Sequence, residues 1–302
     1  MSRHVVDFGS SATYPRCVAG RIAPTTANPR SELQRFVSTA FARELVVRVS
    51  ELLAPAGIVP MPLKGVLFQA WLYDDASERE LVDADVLVPR GRFAEAARLL
   101  EAAGFVPRPQ RMSHERSFEN PAIPLPVDLH AHLFPRLRYS LGVDALFARA
   151  ALDSDLFGCP VYRPDPMDAL AHLIGHTTNN HADERTLGKY VRDVELLCAR
   201  VALDPSDLAD HLHRAGLGRA TRYALPLLAE PSTADFVDAV LRQLPPDPLG
   251  AALARGARRV IASGAPGARR GPVAAYLLSQ SVGHAVLAAG AAALDQRWHA
   301  TA

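Results

Sequence analysis

Between Val82 and Val88 two carboxylates, Asp83 and Asp85, stand at alternate positions of an otherwise apolar run. On a β-strand, side chains at i and i+2 point to one face, so both acids project together. Paired carboxylates repel each other and lose hydration on burial, so they need a cation between them or access to solvent. Oxygen ligands suit Mg²⁺ or Mn²⁺, and Mg²⁺ commonly takes one or two protein carboxylates plus substrate phosphate oxygens. A third carboxylate on a neighbouring strand completes a two-metal clamp for phosphoryl transfer. Asp128, within the run Pro126-Val127-Asp128-Leu129, is the candidate for that place.

The surrounding pattern is that of an α+β protein. Residues 1–30 show little periodicity and read as a flexible N-terminal extension. Ser31–Ala54 has helical spacing, with Leu33, Phe36, Val37, Ala40, Phe41, Leu45 and Val46 on one stripe, and Pro55 and Gly57 end it. Ile58–Leu63 reads as a short strand, and Gly65 opens a helix that runs to about Tyr73. Phe93–Ala103 is an amphipathic helix stopped by Gly104, followed by extended segments at Met112–Glu119 and Ile123–Leu133. After residue 140 helices dominate: one follows Pro164-Asp165-Pro166, then Leu187–Val201, Pro205–Ala215, Arg219–Leu228, Ala234–Gln243 and a C-terminal run. Only Pro160–Arg163 reads as a strand among them. The expectation is a small mixed β-sheet domain with flanking helices over residues 31–150, followed by an all-helical domain over 151–302.

Composition narrows the partners. The 302 residues carry 33 Lys+Arg against 32 Asp+Glu, and a net charge of +1 gives no general attraction to nucleic acid or an acidic membrane. Three cysteines, Cys17, Cys159 and Cys198, are odd in number and far apart. That speaks against a disulfide framework or a Cys-rich zinc site and suits a reducing cytoplasm. The first thirty residues lack the apolar stretch of a secretory signal. Val273–Leu294 is long and rich in Ala, Leu and Val but includes Gln280 and His284, so it reads as a buried helix and not a membrane span.

The acidic pair has company. Leu63-Lys64-Gly65 lies at a strand-to-helix turn, where a glycine lets backbone amides approach phosphate and a helix N-terminus favours an anion. Arg79, four residues before Asp83, is placed to neutralise phosphate charge or orient an acid. The order Leu63-Lys64-Gly65, Arg79 to Val88 with Asp83 and Asp85, then Val127-Asp128-Leu129-His130 resembles the uncharacterised nucleotidyltransferase family of the polymerase-β superfamily. The likeness extends through Pro164-Asp165-Pro166-Met167-Asp168-Ala169-Leu170, with His172 and His176, and covers roughly residues 31–200.

The resemblance implies a nucleotidyltransferase fold with Asp83, Asp85 and Asp128 as the catalytic, metal-binding triad. It implies Mg²⁺ or Mn²⁺ as cofactor and a nucleoside triphosphate such as ATP as substrate. Lys64, Gly65, Arg79 and Lys189 are the nucleotide-binding candidates, and His130, His176 and Asp193 the acceptor-site candidates. The implied activity moves a nucleoside monophosphate to an acceptor that is a small molecule, a peptide or protein, or an RNA. The Lys-Gly and Arg–x–x–x–Asp–x–Asp spacing is also similar to nucleotidyltransferase toxins of abortive-infection systems, which implies an alternative, tRNA as acceptor. Val66 departs from the wider superfamily, which has Ser or Gly after the turn glycine, and supports a further alternative, an inactive nucleotide-binding module.

Two other histidine patterns compete. Asp128-Leu129-His130-Ala131-His132 resembles the His-x-His strand of metal-dependent amidohydrolases, but that strand begins a long barrel, and helices follow here. His172 and His176 are four apart on a helix, but Leu173 stands where a zinc protease has Glu. Lys189 and Asp193, and Arg192 and Glu195, have the spacing of an ordinary ion-paired helix face.

Overall fold

Two central strands organise the fold. In the computed structural model, which describes residues 29–109, 114–135, 137–180 and 184–262 together with 279, 280 and 283, β2 (Ala84–Leu87) runs parallel to β5 (Ile123–His130). A parallel pair needs a crossover connection. It is supplied by α3 (Phe93–Ala102), β3 (Val106–Pro107) and β4 (Glu115–Asn120). With β1 (Met61–Pro62) the sheet has the order β1-β2-β5-β4-β3, and every pairing except β2–β5 is antiparallel. Asn120 sets the β4–β5 turn: its Oδ1 accepts a hydrogen bond from the Ala122 amide at 2.9 Å, closing a local turn before Ile123. The mixed sheet and its helices form the α+β fold expected from the sequence.

Alternation gives the sheet two unlike faces. Ala84, Val86, Val88, Val127 and Leu129 are fully buried. They share a core with Leu45, Val46 and Val49 of α1 (Pro29–Leu53) and with Ala96 and Leu100 of α3. The buried stripe of α1 runs through Thr39, Ala42, Leu45, Val46, Val49 and Leu53, so it starts later than the sequence stripe suggested. Leu33, Phe36 and Val37 are exposed at 64%, 54% and 39%. The helix begins almost three turns before its first buried residue, Thr39, and apolar spacing alone does not record where a partner starts. Residues 1–28, most of the expected extension, lie outside the described residues, as does the run Val273–Leu294 apart from 279, 280 and 283.

Beyond β5 come α4 (Val143–Arg149) and a two-stranded ribbon of β6 (Ala151–Asp153) and β7 (Val161–Arg163). The Tyr162 amide donates to the Pro60 carbonyl at 2.8 Å, and Phe157, Cys159 and Val161 join the sheet core. The helical half follows with α5 (Pro166–Asn180), α6 (Glu184–Arg200), α7 (Pro205–Arg214), α8 (Gly218–Ala224), α9 (Ala234–Gln243) and α10 (Pro248–Ala262). No helix among the described residues is long and apolar enough to cross a membrane.

The two halves meet at α2 (Lys64–Leu72), whose sequence Lys-Gly-Val-Leu-Phe-Gln-Ala-Trp-Leu is apolar on nearly every side. A helix of that kind must be enclosed. Val66 packs in the sheet core, while Leu67, Phe68 and Leu72 pack in the core of the helical half. A buried ion pair fixes this junction. Arg79 donates through Nε and Nη2 to Asp193 Oδ1 and Oδ2, both at 3.0 Å, and the Tyr73 hydroxyl donates to Asp193 Oδ1 at 2.8 Å. Asp193 has no exposed surface and Arg79 only 5%. Removing one partner of such a pair strands the other charge in the interior, which typically costs about 3–5 kcal/mol. Asp193→Ala should lower unfolding stability in urea by that amount, and a loss under about 1 kcal/mol would show that the pair does not clamp the junction.

Candidate active site

The site is built from the turn before α2. The Leu63 amide donates to the Asp85 carbonyl at 3.0 Å, which extends the β1–β2 pairing and brings the next residue beside Asp85. Lys64 then turns into the left-handed region, with φ 48°. A side-chain-bearing residue there carries roughly 1–2 kcal/mol of backbone strain. What it gains is position: Lys64 Nζ lies 2.8 Å from Asp85 Oδ1. Gly65 permits the turn to sit close, because a Cβ there would stand 2.9 Å from Leu81 Cδ2 and 3.4 Å from Arg79 Nη2. Val66 is 1% exposed, so the position after the glycine is a core contact.

The polar face of the sheet lies beside this turn. Asp85 and Asp128 are direct partners across the parallel strands, and Ser117 faces Asp128 from β4. Asp83 precedes β2 by one residue and is partly exposed. One oxygen of Asp128, Oδ1, is buried without a hydrogen-bond partner. Burial pushes the Asp83 carboxyl above the usual carboxylate range, and the Asp85 charge adds to this while Lys64 opposes it. Burial acts on Asp85 in the same sense, but Lys64 and His130 outweigh it and hold that carboxyl far below the range. Like charges side by side titrate apart, and the group that has the cation keeps the charge.

His130 joins the same carboxylate, with Nε2 2.8 Å from Asp85 Oδ1 and a side chain only 1% exposed. Its other nitrogen, Nδ1, is 3.5 Å from Glu115 Oε2, and His114 Nε2 is 3.7 Å from that oxygen. Among the described residues, His114, Glu115 and His130 form the one set of three metal-ligating side chains with donor atoms all within 4.8 Å. The carboxylates of Asp83, Asp85 and Asp128 share a face without forming such a set.

The helical half faces this cluster through α5 and α6. Burial, with the Lys64 charge as second cause, pushes His172 and His176 well below 6.5. Tyr190 is pushed up to about 12 by burial, and its ring centroid lies 5.7 Å from that of His176.

The candidates from sequence thus divide. Lys64, Gly65, Asp83, Asp85, Asp128 and His130 gather at one turn and one sheet face. His176 approaches from α5. Arg79 and Asp193 are brought together instead with each other, at the buried junction. Lys189 Nζ lies 3.0 Å from Glu80 Oε2, a cross-element pair between α6 and the segment before β2. His114 and Glu115 went unnoticed in the sequence. The signal available was Glu115 and Ser117 alternating on one strand face, but it gains meaning only from pairing with β5. Since strain at Lys64 is held for the sake of its charge, Lys64→Gly should be about 1 kcal/mol more stable than Lys64→Ala in urea unfolding. Equal stabilities would show that the left-handed turn is not kept.

The family model for uncharacterised nucleotidyltransferases matches residues 28–231, more than half of the chain. Among solved structures, the crystal structure of an antigenic nucleotidyltransferase-like protein from Paracoccidioides brasiliensis is similar with a TM-score of 0.44 and 14% identity, over 67% of this chain and 94% of that one. A tRNA-processing enzyme (apo form I) is similar with a TM-score of 0.26 and 12% identity, over 78% of this chain and 69% of that one. Comparison with curated proteins gave no match. The matched span runs from the start of α1 past α8 and includes every residue of the polar sheet face and its turn. The chain belongs to the uncharacterised nucleotidyltransferase family.

Proposed function

We propose that this protein is a metal-dependent nucleotidyltransferase that moves a nucleoside monophosphate from a nucleoside triphosphate to an acceptor hydroxyl. The observation that carries the reading is the in-register placement of Asp85 and Asp128 on adjacent parallel strands, facing Lys64 and the start of α2. Asp83, Asp85 and Asp128 are the residues that would hold Mg²⁺ or Mn²⁺. The buried, unpartnered Oδ1 of Asp128 fits that role, since a buried carboxylate oxygen without a donor favours a cation. A divalent cation at these oxygens supplies Lewis-acid stabilisation of charge on the transferring phosphoryl group.

The chain's own groups supply the rest. Lys64 and the α2 amides next to Gly65 bind phosphate oxygens, combining a point charge with a helix N-terminus. Lys189 adds a second cation from the helical half, and Arg79 acts by holding α6 against α2 through Asp193. Asp128 accepts the acceptor hydroxyl proton as the new O–P bond forms and the bond to departing pyrophosphate breaks. His130, buried against Asp85, orients that carboxylate, and His176 stands on the acceptor side. The unpaired thiols of Cys159 and Cys198 and a triphosphate substrate suit the reducing cytoplasm.

Incubation with each labelled nucleoside triphosphate, Mg²⁺ or Mn²⁺ and cell extract should label one acceptor fraction: small molecule, protein or RNA. Asp83→Asn combined with Asp85→Asn should reduce labelling on the order of 10²–10³-fold or more, with the far-UV circular dichroism of the parent. Undiminished labelling in that double variant would sink the assignment. Nucleotide binding without a labelled product in any fraction would make the protein a nucleotide-binding module.

A further inference from the structure

We propose that His114, Glu115 and His130 form a second, separate metal site, selective for Zn²⁺ or another late first-row divalent ion. It lies beside the carboxylate triad and shares none of its ligands.

The geometry is that of a site with its ligands nearly in place. Two ligand atoms about 2.0–2.1 Å from a tetrahedral Zn²⁺ are roughly 3.3 Å apart. His130 Nδ1 and His114 Nε2 lie 3.5 and 3.7 Å from Glu115 Oε2. Contractions of a few tenths of an ångström bring these two edges to the zinc length, and the third, between the two histidines, lies within 4.8 Å and closes by rotation of the His114 ring. The backbone holds the group on two elements: Glu115 is the cross-strand partner of His130, and the His114 carbonyl accepts from the Ala131 amide at 2.8 Å.

A second observation points to a ligand independently. His130 is 1% exposed, and its Nδ1 is buried with no hydrogen-bond partner. Its Nε2 is engaged by Asp85 Oδ1, which also receives the Lys64 ammonium. A carboxylate acceptor at Nε2 places the proton on that nitrogen, which leaves a lone pair on Nδ1. That lone pair faces a carboxylate oxygen at 3.5 Å. Two acceptors in that relation call for a positive charge between them. Where a carboxylate accepts from the far nitrogen of a metal-binding histidine, it fixes the ring and makes it a better ligand.

Ligand chemistry separates the two sites. Two imidazoles and one carboxylate favour Zn²⁺ and its neighbours in the series, whereas three carboxylates favour Mg²⁺ or Mn²⁺. His130 links the sites, because a metal on Nδ1 locks the tautomer that donates to Asp85. The site does not depend on nucleotidyl transfer, and its test needs no substrate.

The full-length chain is stripped with a chelator, returned to buffer with excess Mg²⁺, and titrated with Zn²⁺ by equilibrium dialysis and with Co²⁺ by visible absorption. One equivalent should bind, with the intense d–d bands of a tetrahedral Co²⁺ centre. His114→Ala and Glu115→Gln should each weaken binding by about 100-fold or more, while Asp83→Asn should bind as the parent does. Metal-free melting curves of the two variants check their folding, and Glu115→Gln keeps the side-chain volume if His114→Ala unfolds. A parent chain that takes up no Zn²⁺ would leave His130 as a protonated bridge between Asp85 and Glu115 and overturn the proposal. So would binding lost in Asp83→Asn but kept in His114→Ala and Glu115→Gln.

Discussion

The parallel pairing of β2 with β5 is the constraint on which the rest of the structure rests. It aligns Ala84 with Val127 and Asp85 with Asp128, and so on along the strands, so each rung is either all apolar or bears charge. Only the apolar rungs can meet α1 and α3, and only the polar ones can meet solvent and ions. A slip of β2 by one residue would turn Asp85 into the core and expose Ala84 and Val86. The cost of burying carboxylates without partners makes that register prohibitive. Sheet order, helix placement and the site's position follow from this one pairing.

Charge balance on the polar face centres on Asp85. It accepts from both Lys64 and His130 within 2.8 Å, so it stays ionised despite burial. Asp83, two residues away, lacks such partners and is driven towards the neutral form. The strained backbone at Lys64 belongs to this balance, because a relaxed helix start would not aim the ammonium at the strand. Glu115 extends the polar cluster to His130 and His114. The face therefore carries two neighbouring sets of ligands of different hardness, joined by one imidazole.

The helical half determines how enclosed that face is. The Arg79–Asp193 pair and the apolar flanks of α2 bring α5 and α6 against the turn. Gly175 on α5 is packed so closely by the Phe134 ring that a Cβ would collide with it. Phe134 in turn stacks edge-on with His172 and Tyr139. The segment after β5 and the first long helix are thus locked together. Water is limited where His172, His176 and Tyr190 approach Lys64, and electrostatic interactions there are correspondingly stronger.

Much of this was legible residue by residue. Alternation around Asp83 and Asp85, the Lys64-Gly65 turn and the apolar run bearing Asp128 specified strands and a turn, because period-2 patterning and glycine punctuation are local properties. Helices such as Ala234–Gln243 and Phe93–Ala102 lie within one residue of their sequence bounds for the same reason. Short β3 and β6 were missed, since two or three residues carry no period. What the sequence by itself determined was the kind of each long element and the side on which its acids stand. What only the tertiary structure decided was who meets whom. Arg79, fitted by sequence for phosphate, is held by Asp193 at 114 positions' distance, and Glu115 meets His130 only through a β4–β5 register. Such partners are chosen by how several elements pack at once, and no stretch of contiguous residues contains that information.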